Sequence, residues 1–352
     1  MAEQTKIEWT DATWNPITGC TLVDDGCRNC YAAELAATRL KTHPSRAGLA
    51  RKNASGVAKF TGEVRFNDQW LAQPLGWRKP RMVFVCAHGD LFHESVPDQW
   101  IDQVFAVMAL SPQHTFQVLT KRPDRAREYL SHLQARIYWN DIAVKARAAG
   151  ITLLGDMSYL RQHELGPLPN VWLGTSISDQ ASADARIPEL LATPAAVRFL
   201  SAEPLLGPVD LEPYVSPAWS ADDAEWPKLG NLDWIIVGGE SGRNARPMHP
   251  DWARSLRDQC QQASVAFFFK QAGAWTAWEF ASPPYLRNAF TGEEQDRHAL
   301  LPDRETFDCG RDWDDGLEFV PESSHAVFQR IGKKAAGRLL DGREWSEVPG
   351  CL

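Results

Sequence analysis

The 352-residue sequence predicts an α/β fold, a partial or complete (β/α) barrel with insertions and a C-terminal extension. Three observations support this class: short continuous apolar runs, helix-like segments between them, and polar or glycine residues directly after the runs. Runs of this kind suit strands that are buried on both faces of a parallel sheet. Their alternation with helices predicts β–α units, with the barrel over residues 1–275 and the extension over residues 276–352.

The individual elements follow from composition and spacing. A first strand leads into Cys20, and six runs rich in β-branched and aromatic residues follow it: Met82–Cys86, Thr115–Leu119, Val171–Gly174, Val197–Ser201, Trp234–Val237 and Val265–Phe269. Helices are predicted between them, several with the Asp or Pro that favours a helix start, over Tyr31–Leu40, Pro97–Ala109, Asp124–Ala135, Ile187–Ala192 and Asp251–Gln262.

Three interruptions of this pattern are also predicted. Weak periodicity indicates an insertion or lid at about Thr42–Trp77, and His132–Pro169 is expected to extend the third crossover with an amphipathic helix. A segment rich in Pro, Trp and Asp, Pro208–Gly230, is typical of a surface loop. The end of the chain, RIGKKAAGRLLDGREWSEVP, is expected to form a short ordered tail that packs on the barrel.

Charge and hydropathy narrow the class of protein. The formal net charge of −8 argues against a protein coated for non-specific DNA binding. No apolar run approaches the ~20 residues that span a bilayer, and the polar, acidic start does not resemble a signal peptide. We therefore expect a cytoplasmic protein with no membrane partner, in which clustered cysteines bind metal more often than they form disulfides.

The cysteines at the start of the chain carry the strongest chemical signal. Cys20, Cys27 and Cys30 read C-x6-C-x2-C, and three thiolates leave one coordination position of a metal or cluster without a protein thiolate. One interpretation is a [4Fe–4S] cluster. A second is a structural zinc site whose fourth ligand comes from elsewhere, with candidates Cys86, His88 and His93, and a third is that the thiols are unrelated. Zinc ribbons usually bring two cysteine pairs, and the sequence has no second C-x2-C.

Polar and glycine residues after the predicted strands form the second group of candidates. In barrels the carboxyl ends of the strands build the site, so these residues are expected at one end of the sheet. Glu240 and Lys270 are predicted to contact the substrate. Gly238 and Gly239 are expected to permit close backbone approach.

A basic segment lies in the predicted insertion. Six basic residues and no acidic one occur between its ends, namely Arg39, Lys41, Arg46, Arg51, Lys52 and Lys59. This basic segment, Arg39–Lys59, is either a solvated loop or a lid that faces the phosphates of a nucleic acid.

Several motifs resemble a known family. The segments are WNPITGC, GCRNCYA, VFVCAHGDLFHESVP, FQVLTKRPDR, VWLGTSIS, FLSAEPLLGPVDL, WIIVGGESGRNARPMHPDW, FFFKQAG and GRLLDGREW. They are similar to a phage and prophage protein family of unknown activity in the radical S-adenosylmethionine clan, over about Trp9–Trp345. Enzymes of that clan carry a cysteine triad on the loop after the first strand of a TIM-like partial barrel. Their usual spacing is C-x3-C-x2-C, and this chain has six residues in the first gap.

The resemblance implies an enzyme with a [4Fe–4S] cluster on Cys20, Cys27 and Cys30. S-adenosylmethionine would chelate the open iron and be cleaved reductively to a 5′-deoxyadenosyl radical. The substrate is unknown, with a nucleic-acid base or nucleotide as a candidate, and a three-Cys-motif partner protein is an implied partner. The alternative is a non-catalytic module, stabilised by zinc or a cluster, that binds nucleic acid or a partner.

The resemblance also implies roles in holding the cofactor. Asp90 would bind the methionyl ammonium, although it could instead be a helix N-cap. Lys121 or Arg122 would meet the cofactor carboxylate or a substrate phosphate. The remaining implied contacts are Ser176 and Glu203 at the ribose hydroxyls, and Gly238 and Gly239 near adenine or substrate. Tyr31, by its place next to Cys30, is expected either to cap the cluster or to begin the following helix. Glu203 could alternatively satisfy backbone amides.

Overall fold

The computed structural model describes residues 5–132, 167–215, 232–280, 285–296, 306–308 and 326–350. Its strands are β1 (Ala12–Trp14), β2 (Ile17–Thr18), β3 (Ala50–Lys52), β4 (Ala58–Phe60), β5 (Arg65–Phe66), β6 (Met82–Val85), β7 (Thr115–Thr120), β8 (Val171–Ile177), β9 (Val197–Ala202), β10 (Trp234–Gly238), β11 (Ala266–Gln271), β12 (Trp275–Phe280), β13 (Tyr285–Asn288), β14 (Glu294–Asp296), β15 (Thr306–Asp308), β16 (Ala326–Arg330), β17 (Leu339–Leu340) and β18 (Arg343–Glu344). Its helices are α1 (Tyr31–Ala37), α2 (Asp98–Ala109), α3 (Pro123–Ser131), α4 (Gln180–Leu191), α5 (Glu212–Val215), α6 (Pro250–Ala263) and α7 (Lys333–Ala336).

The architecture is mixed α/β, built on a seven-stranded parallel sheet in the order β1-β6-β7-β8-β9-β10-β11. This confirms the predicted α/β class and is compatible with a partial (β/α) barrel. By contacts the chain divides into two compact units. Unit 1 comprises residues 1–176, 181–201 and 214–233, and unit 2 comprises residues 177–180, 202–213 and 234–352. The predicted division at residue 275 stays a prediction.

The central strands of unit 1 are apolar because both faces are covered. Val83 of β6 pairs with Phe116 of β7, and Val118 of β7 pairs with Leu173 of β8, in parallel register. All four side chains are buried. Helix α2 supplies a matching stripe, in which Ile101 and residues three, four and seven positions later are buried. Continuous apolar runs therefore predicted these strands correctly.

One helix begins earlier than its sequence indicates. The predicted start at Ile187 is wrong, because α4 runs from Gln180 and contains Pro188 in its interior. A proline in a helical pattern normally indicates the first turn, where its missing N–H costs nothing. The polar stretch before it contains Ser and Asp, which are weak helix formers, so its helical conformation was not visible locally.

The predicted insertion is an ordered part of unit 1. Strand β5 pairs antiparallel with β2, and β3 with β4. The Thr18 hydroxyl donates to the carbonyl of Ser45 at 2.7 Å, and the Asn67 amide donates to the carbonyl of Asn15 at 3.2 Å. The first half of the basic segment is thus attached to the base of the cysteine loop and is not uniformly solvated.

Within the described residues, unit 2 contains three sheet regions, one of which is the antiparallel pair β17–β18. Strands β10 and β11 pair in parallel, with α6 between them in the chain. The antiparallel sheet β14-β13-β12-β16-β15 was not predicted, because its strands carry the charged residues that strands usually lack. The predicted C-terminal tail is ordered, since the amide of Phe269 donates to the carbonyl of Trp345 at 3.0 Å.

Two predictions fall on parts of the chain outside the description. Most of the crossover over His132–Pro169 lies within residues 133–166, and the second half of the loop over Pro208–Gly230 lies within residues 216–231. Across the described ranges, helices of membrane-spanning length and apolarity do not occur.

Candidate functional site

A glycine fixes the start of the cysteine loop, which we define as Cys20–Cys30. Gly19 has φ +98°, and a Cβ there would lie 2.1 Å from the carbonyl oxygen of Glu63. It also forms a parallel bridge with Gly89, beyond the end of β6. Only glycine permits this positive φ and this close approach. Cys20, which directly follows Gly19, therefore lies near the residues that come after β6.

Local structure then brings the other two cysteines into place. A 3-10 turn over Asp25–Cys27 shortens the six-residue gap, and α1 begins directly after Cys30. Burial raises the pKa of the Cys30 thiol, although its sulfur accepts hydrogen bonds from the amides of Ala33 and Ala32. These amides belong to the free N–H groups at the start of a helix.

The three thiols lie within electrostatic range of one another. Burial first, and then Asp90, raise the pKa of Cys20 to about 12; Arg122 opposes this shift, and Cys30 and Cys27 make smaller contributions that raise the pKa. Within the described chain, three His, Cys, Asp or Glu side chains do not converge on a point that could hold a single metal ion. A four-iron cluster takes each thiolate on a different iron, and three half-buried thiols of one loop fit that donor set.

Asp24 anchors the middle of the cysteine loop. Its carboxylate accepts from Lys121 Nζ at 2.7 Å and from Arg186 Nη2 at 2.5 Å. Burial raises the pKa of Asp24, but the two cations outweigh it and hold the pKa below its ordinary value. Arg186 also donates to the carbonyl of Ser176 at 2.6 Å. The predicted site residues Lys121 and Ser176 therefore lie next to the cysteine loop, with Lys121 acting as an anchor.

Asp90 ties the ends of β6 and β7 together. It is buried, and its Oδ1 accepts from the Thr120 hydroxyl at 2.7 Å and from the amide of Phe92 at 3.0 Å. Its Oδ2 accepts from the amide of Lys121 and from Arg122 Nη1, both at 3.1 Å. The bond to Phe92 forms a turn, since α2 begins only at residue 98, so the helix N-cap interpretation is wrong. Asp90 stays a predicted ammonium ligand.

Arg122 connects this carboxylate with the first cysteine. Its Nη1 lies 3.7 Å from Cys20 Sγ, its Nε donates to Glu94 at 2.6 Å, and its Nη2 donates to Thr21 at 2.5 Å. Burial lowers the pKa of Arg122, but Asp90 and Glu94 outweigh this and raise it. A fixed positive charge beside Cys20 favours the thiolate form of that side chain.

Tyr31 lies between the cysteine loop and the segment after β6. Its hydroxyl donates to the carbonyl of Ala87 at 2.5 Å, and its ring meets the His88 ring edge-on with centroids 6.1 Å apart. The side chain is half exposed, although it directly follows Cys30. Tyr31 thus lies beside the cysteine loop, and its role as a cap on the cluster stays a prediction.

In unit 2, three of the predicted site residues lie together, namely Glu203, Gly238 and Lys270. Lys270 Nζ lies 2.8 Å from Glu203 Oε1. A Cβ on Gly238 would lie 2.6 Å from the same Glu203 oxygen, so the glycine is what admits the carboxylate. Glu203 and Lys270 thus act as a pair of opposite charge at the end of β10 and β11.

Glu240 has a different set of contacts in unit 2. Its carboxylate accepts from Arg246 Nη2 at 2.8 Å and Nε at 2.9 Å, and from the amide of Arg246 at 2.8 Å. It is buried, and a bidentate guanidinium compensates its charge. A Cβ on the preceding Gly239 would lie 2.2 Å from the carbonyl oxygen of Ala272, so this glycine admits the backbone of Ala272, and its predicted place near adenine or substrate stays a prediction. The substrate role of Glu240 stays a prediction.

Sequence reasoning missed several members of these clusters. Asp24 could have been noticed, because it is an acidic residue within the cysteine gap. Arg186 gave no signal, since it belongs to no quoted motif and does not directly follow a predicted strand, and Arg246 was not singled out although it lies within the motif WIIVGGESGRNARPMHPDW. Their roles depend on contacts made only in the folded chain.

Comparison with known proteins gives one result of substance. No curated protein and no solved structure matches the chain. A family model matches residues 4–349, nearly the whole sequence. The chain therefore belongs to the family described as "Protein of unknown function (DUF5131)".

Proposed function

We propose that this protein is a radical S-adenosylmethionine-type iron–sulfur enzyme, with a [4Fe–4S] cluster on Cys20, Cys27 and Cys30. The observation that carries the proposal is a three-thiol loop anchored at the carboxyl ends of parallel strands, where α/β barrels place their sites. When bound, the cluster supplies the electron for reductive cleavage of S-adenosylmethionine to methionine and a 5′-deoxyadenosyl radical.

The residues of the chain position this centre and adjust its electrostatics. Asp24 is held by Lys121 and Arg186, which fixes the long gap between the first two cysteines. Arg122 places N–H groups and a positive charge beside Cys20. Hydrogen bonds to cluster-ligating sulfurs shift reduction potentials, so Arg122 makes the centre easier to reduce.

The finer assignments belong to the same proposal. Ser176 is proposed to meet the ribose in unit 1, and Tyr31 to cover the cluster. Glu203 and Lys270 are proposed to contact cofactor and substrate as a charged pair in unit 2. A nucleotide or nucleic-acid base is the proposed substrate class, and the basic segment supports it because phosphate groups attract such a segment.

The test is anaerobic reconstitution with iron and sulfide, followed by metal analysis and an assay for 5′-deoxyadenosine. The native chain is expected to bind about four irons, absorb near ~400 nm and cleave the cofactor after reduction. Cys27→Ala should lose both cluster and cleavage. Cys260→Ala is the matched control, because Cys260 is a buried cysteine far along the chain in unit 2, and it should retain both.

The opposite outcome is equally defined. One equivalent of zinc, with no cofactor cleavage by the reduced protein, would overturn the enzyme proposal. That result would support the non-catalytic binding module instead.

A further inference from the structure

Arg46, in the basic segment, is a buried cation that has no carboxylate partner in the described part of the chain. It is 5% exposed, and its pKa is lowered to about 10, chiefly by burial. Its Nη1 donates to the Ser45 hydroxyl, its Nε donates to His88 Nδ1 at 3.4 Å, and its guanidinium lies 5.9 Å from the centre of the Trp70 ring. Among the described residues no carboxylate pairs with it. Buried arginines are normally paired, so the missing counter-charge requires an explanation.

One N–H group of Arg46 and one of His88 are available to donate to a ligand that carries hydrogen-bond acceptors. Arg46 Nη2 donates to nothing in the described parts of the chain, and it is not sealed from solvent. Since His88 Nδ1 accepts from Arg46, the neutral ring carries its proton on Nε2. Burial, Arg46 and Arg39 together lower the pKa of His88 to about 4, so the ring stays neutral at pH 7. His88 therefore offers a second N–H donor and no negative charge.

Three of the other basic residues of the segment differ in their interactions. Lys52 pairs with Glu34 at 2.8 Å, and Lys59 donates to the carbonyl of Arg28 at 3.0 Å, so both are held by the chain itself. Arg39 differs, because it forms no ion pair within the described ranges and its charge acts on His88. Two guanidinium groups thus act on one imidazole, and among the described residues neither of them forms an ion pair.

We propose that Arg46, Arg39 and the Nε2–H of His88 form a binding site for a phosphate group. A phosphate presents several acceptor oxygens and a double charge, which suits two arginines and one N–H donor. It also supplies the counter-charge that buried Arg46 lacks. The site stands beside the cysteine loop, because His88 contacts the ring of Tyr31. As a statement about the substrate it rests on the proposed function, whereas the binding itself needs no cluster.

The test is calorimetric titration of the full-length protein with inorganic phosphate at constant ionic strength. Arg46→Met is expected to weaken binding at least tenfold, and Arg39→Gln several-fold. Arg51→Gln is the matched control, an exposed arginine of the same segment, and should bind as the native protein does. Circular dichroism and the Tm without phosphate establish that each variant is folded. Arg46→Lys, which keeps the charge and loses the planar fork, should bind with intermediate affinity.

The result that overturns the site is equal phosphate affinity in the native protein and the folded Arg46→Met or Arg46→Lys variants. Absence of phosphate binding by the native protein overturns it as well. Two further ligands identify the source of the phosphate: a nucleoside 5′-monophosphate, and a short single-stranded oligonucleotide whose affinity would fall steeply with salt. Cys27→Ala should retain phosphate binding, so failure of the phosphate site and failure of the cluster proposal give different results.

Discussion

Asp24→Asn is the most direct test of how the cysteine loop is held. The native carboxylate accepts one charge-assisted hydrogen bond from Lys121 at 2.7 Å and one from Arg186 at 2.5 Å. The side chain of Asp24 is 20% exposed, that of Lys121 16% and that of Arg186 8%, so these three charged groups are mostly shielded from water. The variant keeps one acceptor oxygen, loses the negative charge and leaves two cations facing a neutral amide.

The expected cost follows from these contacts. A hydrogen bond to a charged group contributes ~1.5–3 kcal/mol, and removing one partner of a fully buried pair costs ~3–5 kcal/mol. Partial exposure of Asp24 reduces the second figure. We therefore expect the unfolding free energy to fall by about 2 kcal/mol, measured by urea denaturation.

The dependence on pH has a defined sign. The pKa of Asp24 is held below its ordinary value of 3.8. Its stabilising contribution is therefore complete above pH 3.8 and is lost as the pH falls below 3.8 through the folded-state pKa. The difference between native protein and Asp24→Asn should be constant at neutral pH and shrink in acid. Asp68→Asn is the control, since Asp68 is exposed and, within the described ranges, its side chain accepts a hydrogen bond only from the adjacent amide of Gln69.

A second measurement tests the link to the cysteines. If Asp24 fixes the loop, the variant should also bind less iron after reconstitution, whereas Asp68→Asn should bind as much as the native chain. An Asp24→Asn protein that matches the native one within about 0.5 kcal/mol and in iron content would refute the reasoning.

Three further predictions concern single side chains. Gly19→Ala should reduce both stability and iron content, because φ is positive at this position and a methyl group would lie 2.1 Å from the carbonyl oxygen of Glu63. An unchanged urea midpoint and an unchanged iron content would contradict this. Arg122→Met should destabilise the fold by ~2–4 kcal/mol in urea, because it leaves buried Asp90 without its cation, and Arg122→Lys should recover part of the loss. Glu240→Gln should lower the Tm without changing phosphate affinity, and a variant as stable as the native protein would show that the bidentate pair contributes little.

The strands and most of the helices were predictable because their signals are local. A parallel strand covered on both faces needs a continuous apolar run, and Met82–Val85 and Trp234–Gly238 show that run directly in the sequence. The cysteine triad was visible for the same reason, since its three members lie within eleven residues of one another. Local composition failed where a residue had an unusual position, as with Pro188 inside α4.

The sequence by itself therefore determined the α/β class, the order of its main elements and the three thiols of the candidate centre. Only the tertiary structure decided which charges hold that centre, because Asp24 and Arg186 are 162 positions apart and their attraction depends on distance in space. It also decided the environment of Arg46. Composition shows six similar basic residues in one segment, whereas folding buries one of them beside His88 and leaves others exposed. Burial removes water from the charge of Arg46, and a buried charge is stable only when it is compensated. The sequence does not distinguish Arg46 from the other basic residues of the segment, but the fold does.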